Sequence, residues 1–242
     1  MTAVLAATAS GQLLPPQLLY QGKTDKCLPA AVNFPKDWDV HHSPNHWSNT
    51  ETMVRYIDTI INPYVESQRK AFSLPQQPAL CIFDVFKAHQ AEEVLQKLKS
   101  NNIHCVFVPA SCTGELQPLD VSVNKVYKEK LKACFEQWYS DKVEAQLNSG
   151  VNIASVQVNL SLANIKPIHA KWIISAHKEV ESRPDLIKVG FAKSGIVSYS
   201  GGASDDTWPP PSPDVVDGGS DNASESDFAS NSSVAVVKKA QC

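Results

Sequence analysis

Asp84 and Asp120 are the two residues whose type and placement could carry chemistry in this 242-residue chain. Asp84 ends the apolar run Ala79-Leu80-Cys81-Ile82-Phe83, which reads as a buried strand, and open α/β sheets expose ligand-facing groups at the carboxyl ends of their strands. An aspartate straight after such a run either caps the next turn or meets a cation, because burying it unpaired is costly. Asp120 falls in Leu116-Gln117-Pro118-Leu119-Asp120, in the first turn of a long predicted helix, where the helix dipole by itself favours an anion. The 35 residues between the two acids hold one further strand and its following loop, so both can reach one edge of the sheet. Paired carboxylates there suit Mg²⁺, which takes oxygen ligands and needs only one or two from protein when phosphates supply the rest. Two such ions can activate a water and stabilise the leaving oxygen in phosphodiester cleavage.

The elements that must position these acids are legible as a pattern of apolar runs. Ala79 to Phe83 and Ile103-His104-Cys105-Val106-Phe107-Val108 are short, apolar and bounded by prolines and polar turns, as strands buried on two faces are. Between them Val94, Leu95 and Leu98 recur at helical spacing over Ala91 to Lys99. Strand, helix, strand within about 30 residues predicts a βαβ unit with parallel strands, and hence an α/β fold. Val4 to Thr8 leads through Ser10-Gly11 to Gln17-Leu18-Leu19-Tyr20 with the spacing of a hairpin, and Pro15-Pro16 suits an edge strand.

Ser48-Asn49-Thr50-Glu51 fits a capping box, and Met53, Val54, Ile57, Ile60, Ile61, Tyr64 and Val65 then form one apolar stripe. Pro118 stands where a first-turn proline belongs, and Val123, Tyr127, Leu131, Cys134, Phe135 and Trp138 continue in steps of three and four. Another helix is expected over Ile168 to Val180 and a short one after Pro184. Beyond Ser200 the Gly, Ser, Asp and Pro content leaves too little apolar surface to offset ordering entropy, so residues 199–242 are expected to be a disordered tail.

Composition narrows the function classes. With 43% apolar residues the chain can fill a sizeable core, and its 22 Lys+Arg against 25 Asp+Glu carry no polybasic signature. From Gly201 onward seven acids face only Lys238 and Lys239, a net of −5 out of the chain's −3, which leaves +2 for residues 1–200. No apolar run approaches the 18 or so residues a bilayer-spanning helix requires. Ala3 to Ala7 is too short an apolar core, with no basic residue before it, for a secretory leader. Cys27, Cys81, Cys105, Cys112, Cys134 and Cys242 show no metal-finger spacing and read as reduced, packed thiols of an intracellular protein. Only six glycines precede Gly201, and there is no P-loop, no G-x-G-x-x-G turn and no G-x-S-x-G elbow, which disfavours ordinary nucleotide-cofactor enzymes and serine hydrolases. His41, His42 and His46 lack nearby acidic or cysteine partners in sequence and read as surface histidines. Trp38, Trp47, Trp138 and Trp172 read as packing residues rather than base-stacking platforms.

Longer motifs are more specific. Cys81-Ile82-Phe83-Asp84-Val85-Phe86 followed by His89, then Asn102-Ile103 leading through Phe107-Val108-Pro109-Ala110 and Thr113 to Leu116-Gln117-Pro118-Leu119-Asp120-Val121, resembles the core of the DDE superfamily endonucleases and transposases. The pogo, Tigger and Jerky-like branch is the nearest in pattern. Leu14-Pro15-Pro16 with Tyr20-Gln21-Gly22-Lys23 is similar to that family's second and third strands, and Asn45-His46-Trp47-Ser48 precedes the same helix. The likeness runs from about Thr2 to Ile196, and Leu-Gln-Pro-Leu-Asp is its sharpest part.

The resemblance implies an RNase H-like mixed sheet flanked by helices over residues 1–198, with three acidic metal ligands. The second matches Asp84 and the third Asp120. The first is expected on a strand ahead of Val4, so the sheet is expected to lack its first strand and to leave its neighbours with unpaired backbone groups. Relatives often carry a histidine two residues after the second acid and another five after. Phe86 fills the first place here and His89 the second, where it either orients a scissile phosphate or water or is a solvated loop histidine. Lys125, Lys128, Lys130 and Lys132 follow Asp120 on its helix and either meet a DNA backbone or form an ordinary solvated face.

The function so implied is a transposon-derived domain that binds nucleic acid, descends from Mg²⁺-dependent DNA-cutting enzymes and is inactive alone, with the nucleus as its place rather than the cytoplasm. Two alternatives stand beside it. One is an active DDE endonuclease that receives its first acid from elsewhere. The other is a domesticated interaction scaffold that meets protein partners through its acidic tail.

Overall fold

The computed structural model describes residues 1–197 and, as backbone, residues 234–241. Its centre is one mixed six-stranded sheet of order β3-β2-β1-β6-β4-β5. The strands are β1 (Thr2–Thr8), β2 (Gln17–Gln21), β3 (Asp39–Ser43), β4 (Ala79–Asp84), β5 (Ile103–Val108) and β6 (Val234–Gln241). All seven residues of β1 are buried, which explains its lack of polar alternation: both faces of this strand are covered. Ala3, Leu5 and Ala7 contribute to one apolar layer and Val4 and Ala6 to the other, as the two-residue period of a strand requires.

The predicted βαβ unit is present. Parallel β4 and β5 pair from Ala79↔Ile103 to Asp84↔Val108, and α3 (Glu92–Ser100) crosses between them with Val94 and Leu98 buried. The hairpin is present too, with β1 antiparallel to β2. Two details differ from the sequence expectation. β5 is not buried on both faces: it is the outermost strand, with His104 exposed and Val106 52% exposed. Pro15 and Pro16 do not mark an edge, because β3 adds in parallel beside β2. The prolines precede the first paired residue, where no ladder donor is lost.

One layer of helices packs against the Val4 face. α1 (Thr50–Tyr56) and α2 (Asn62–Ala71) run on through a π-helical turn, Ile57–Ile61. The predicted stripe is the buried one: Met53, Ile57, Ile60, Ile61 and Val65 face Val4, Ala6, Cys81 and Phe83. The capping box is shifted by one residue from the expected register. Asn49 is the cap, its side chain accepting from the Thr52 amide at 2.9 Å while Thr52 Oγ1 accepts from the Asn49 amide at 2.9 Å.

The other face carries Leu119, Val123 and Tyr127, α6 (Leu162–Glu181) and α7 (Pro184–Lys193). α6 begins earlier than the apolar periodicity predicts, because Pro167 is accommodated inside it and its first turn is exposed. Trp38 packs on this layer with its ring 4.8 Å from that of His177, and Trp138 meets Trp172 edge-on at 5.9 Å. Trp47 is 46% exposed, with its ring 6.4 Å from that of His46. The histidines of β3 also differ from expectation: His42 has an acidic partner, Asp25, at 3.5 Å. No helix among the described residues is long and apolar enough to cross a membrane.

The tail expected to be disordered lies outside the described residues except for β6. Those eight residues form a strand, antiparallel to β1 and parallel to β4. β1 and β4, which were expected to be left without a neighbour, are joined through it.

Candidate functional site

Asp84 is the last residue of β4. Ile82, two positions earlier, belongs to the same apolar layer as Leu119 and Val123, so the period of the strand presents Asp84 to the face that the Asp120 segment covers. Asp120 sits in a π-helical segment, Leu119–Val123, which follows the one-turn helix α4 (Thr113–Leu116) and Pro118 and leads into the 25-residue helix α5 (Asn124–Asn148). Its Oδ1 accepts from Asn124 Nδ2 at 2.6 Å. Asn124 is a partner of Asp120 that sequence reasoning missed, although its i,i+4 spacing from Asp120 was the signal.

Close approach of α7 holds that segment in place. Gly190 lies so near that an added Cβ would strike Ser122 Oγ and come within 2.6 Å of the Pro118 carbonyl oxygen. Ser122 in turn donates to that same carbonyl at 3.1 Å. The backbone around Asp120 is therefore wedged between the sheet and α7, and a π-helical turn in such a place is a common mark of a functional site.

His89 is brought directly to Asp84. The chain turns after the strand, with the Phe86 amide donating to Asp84 O and the His89 amide to Phe86 O, both at 2.9 Å. The imidazole lies 5.0 Å from the ring of Phe83 and edge-on to Phe86 at 5.5 Å. Its Nδ1 lies 2.7 Å from Asp84 Oδ1 and 3.2 Å from the Asp84 main-chain oxygen. Only the main-chain oxygen is aligned for a hydrogen bond, so the contact with Oδ1 is electrostatic, and Oδ1 remains a buried acceptor without a hydrogen bond. His89 Nε2 is likewise buried without a hydrogen-bond partner among the described residues. The solvated-loop alternative for His89 is overturned, because the residue is 0% exposed. Phe86, standing where relatives often have a histidine, is part of its clamp.

Among the described residues, no three His, Cys, Asp or Glu side chains come together as a metal-binding group. Thiol chemistry is also disfavoured at this rim. Burial, with Cys105 alongside, pushes the Cys81 thiol up to about 12, and Cys27, Cys81, Cys105, Cys112 and Cys134 are all free.

The lysines that follow Asp120 are less available than their number suggests. Lys125 lies 3.9 Å from Glu129, Lys132 lies 3.6 Å from Glu136, and Lys130 reaches Glu179 on α6 at 3.6 Å. Most of α5 is exposed, with only Asn124 and Tyr127 buried. Exposed pairs of this kind are worth little and rearrange readily, so Lys125, Lys128 and Lys132 remain able to turn toward an anion.

The comparison with known families gives the class of this chain. The chain belongs to the DDE superfamily of endonucleases, whose family model matches residues 1–189. Among curated proteins it is similar to the human "Pogo transposable element with KRAB domain", 24% identical over 208 residues, which cover 86% of this chain and 31% of that protein. It is also similar to the human "Pogo transposable element with ZNF domain", 26% identical over 194 residues, which cover 80% of this chain and 12% of that protein. The chain thus spans about a third or less of the length of these relatives. No solved structure matches it.

Proposed function

We propose that this chain is an RNase H-like DDE-type domain that binds DNA through the basic side of α5 and, by itself, does not cut it. The observation that carries this reading is the Asp84 carboxylate at the end of β4. It has a buried oxygen without a hydrogen bond, a buried imidazole beside it, and a second carboxylate on the helical layer over the same face.

This donor set fits a hard divalent cation. Asp84 and Asp120 would hold Mg²⁺, with the remaining oxygens coming from a phosphate, and the ion would supply Lewis-acid stabilisation of charge at that phosphate. His89, packed between two phenyl rings, keeps the Asp84 carboxylate oriented and its surroundings dry. Asn124 fixes one oxygen of Asp120 and so aims the other. Lys125, Lys128 and Lys132 contribute salt-sensitive contacts to the nucleic-acid backbone. A nuclear location accords with a DNA ligand.

Fluorescence anisotropy with a labelled DNA duplex tests the proposal. The expected result is weak binding at low salt that falls steadily as NaCl rises, is reduced by Lys128→Glu, and is unaccompanied by Mg²⁺-dependent nicking of supercoiled plasmid. Absence of binding at low salt would overturn it. Nicking abolished by Asp84→Asn or Asp120→Asn would establish the second reading, an active endonuclease with an acid supplied from elsewhere. The unfilled acceptor on Asp84 is the observation that favours that reading.

A further inference from the structure

Steps of four lead from Asp120 through Asn124 and Lys128 to Lys132, and Phe135 follows three residues later. One stripe of α5 therefore runs from the acid to an exposed phenyl ring about 22 Å further along the helix. There α5 and α6 border a cleft of about 420 Å³ whose lining includes Lys128, Lys132, Phe135, Ile165, His169 and Trp172. Its walls are aromatic. Trp172 stands edge-on to Phe135 and to His169, at 6.0 Å from each, and Phe135 keeps 38% of its surface exposed. Burial lowers the pKa of His169, so at neutral pH its ring is uncharged and the cations of the cleft are Lys128 and Lys132. Among the described residues no Asp or Glu lines it. Glu136, 3.6 Å from Lys132, forms only an exposed pair, which rearranges readily.

A second cleft, of about 560 Å³, shares Ile165 and His169 and continues past Lys166 to Tyr20 and Gln21 on β2 and to His46 beyond β3. Thr2 pairs with Leu19, and β1 is antiparallel to β6, which is parallel to β4. This rim is therefore the one at which Asp84 ends β4. Among the described residues no acid lines this cleft either.

Charge complementarity and shape together name the occupant. Lysines alone suit any polyanion, and a duplex offers them phosphates while its base faces are already stacked on one another. An open ring between two lysines suits a ligand that carries a flat π face and a negative charge in each repeat, and a single-stranded nucleic acid is such a ligand. The volume is within the range of small-molecule pockets, room for a base and not for a duplex.

We infer that this cleft holds an unpaired stretch of DNA, with one base stacked on Phe135 against Trp172 and with Lys128 and Lys132 on the flanking phosphates. From there the strand follows the second cleft toward the carboxylate rim. This rests on the DNA-binding reading of α5 and names the form of the ligand at that surface, single-stranded rather than duplex.

Fluorescence anisotropy on the full chain tests it with three labelled probes of about ten nucleotides, within the usual span of such sites. They are a thymine strand, an abasic strand with the same phosphates, and a duplex. The thymine strand is expected to bind about tenfold tighter than the other two. Phe135→Ala is expected to lose about tenfold on the thymine strand, the effect of one lost stack, and to stay within about twofold of the parent on the abasic strand and the duplex. Phe135→Tyr keeps a ring and is expected to bind as the parent does. Lys128→Glu weakens all three complexes. Tyr139→Ala removes an exposed ring of the same aromatic cluster that does not line the cleft, and is expected to leave all three unchanged. Equal binding of the thymine and abasic strands by the parent chain overturns the inference without recourse to any variant. So does a Phe135→Ala loss shared equally by the duplex. Phe135-dependent binding of the thymine strand with no duplex binding would sink the functional reading and leave this one standing, and salt-sensitive duplex binding with no preference for the thymine strand would do the reverse.

Discussion

Nδ1 of His89 stands 2.7 Å from Oδ1 of Asp84, five residues apart in sequence and joined by a turn that folds the ring under the end of β4. The acid partly faces solvent, with 16% of its side chain exposed, whereas the imidazole is sealed. His89 thus acts on Asp84 from below while leaving the outer side of the carboxylate open.

Removing that support is costly to the fold. His89→Ala leaves a void between Phe83 and Phe86, and urea unfolding is expected to show a loss of about 2 to 5 kcal/mol, the range for large-to-small changes at a buried site. A loss under 0.5 kcal/mol would mean that the ring is not part of the core.

Gly190→Ala tests the wedge behind Asp120. The added methyl meets Ser122 Oγ and the Pro118 carbonyl, both on or next to the π-helical segment, so the backbone must shift. A destabilisation of about 1 to 3 kcal/mol is expected from overpacking, read as a lowered Tm. Ala192→Gly on the same helix is expected to cost about 1 kcal/mol through helix propensity alone.

Arg69 ties three chain segments together. Buried to 7% exposure, it donates from Nε to Gln77 O at 2.9 Å and from one terminal nitrogen to Asn101 O and Asn102 O at 3.0 Å, and its other terminal nitrogen pairs with Glu66 at 2.6 Å. Arg69→Met strands those carbonyls and is expected to cost about 2 to 4 kcal/mol in chemical denaturation. Arg69→Lys recovers little, because a single ammonium cannot copy the fork. Glu66→Gln, at the exposed end of the pair, is expected to change stability by less than about 1 kcal/mol.

His177 gives the fold a pH dependence. Burial lowers its pKa to about 4, below the 6.5 of an unfolded chain, so between these values the unfolded state binds the extra proton. Its contribution is fully present above about pH 6.5 and is lost as pH falls toward 4, with a ceiling of about 3 kcal/mol. Burial depresses His169 in the same direction. Denaturation midpoints measured between pH 7 and pH 4 are expected to fall in the parent chain, and to fall less in His177→Phe.

Local pattern carried much of the architecture. The β4-α3-β5 unit follows from two apolar runs around a helical stripe, because a right-handed crossover is the physical way to join two parallel strands of that length. The stripe of α1 and α2 was legible for the same reason, since burial selects one face of a helix. Asp84 could be placed at the end of β4 because an ionisable group that follows a buried strand must stop at its rim.

What lies beside what was decided only in three dimensions. Val106 sits in an apolar run yet is exposed, because strand order put β5 at the edge. His89 lies in a loop yet is sealed, because the turn after Asp84 tucks it between Phe83 and Phe86. Val234–Gln241 lies in an acidic, glycine- and serine-rich tail yet joins the middle of the sheet, because β1 and β4 offer unpaired backbone on both sides and a strand is held by its neighbours' hydrogen bonds rather than by its own composition. Sequence period determines which faces are apolar. Long-range pairing determines which residues those faces bring together, and that is how the segment carrying Asp120 comes to cover the face to which Asp84 belongs.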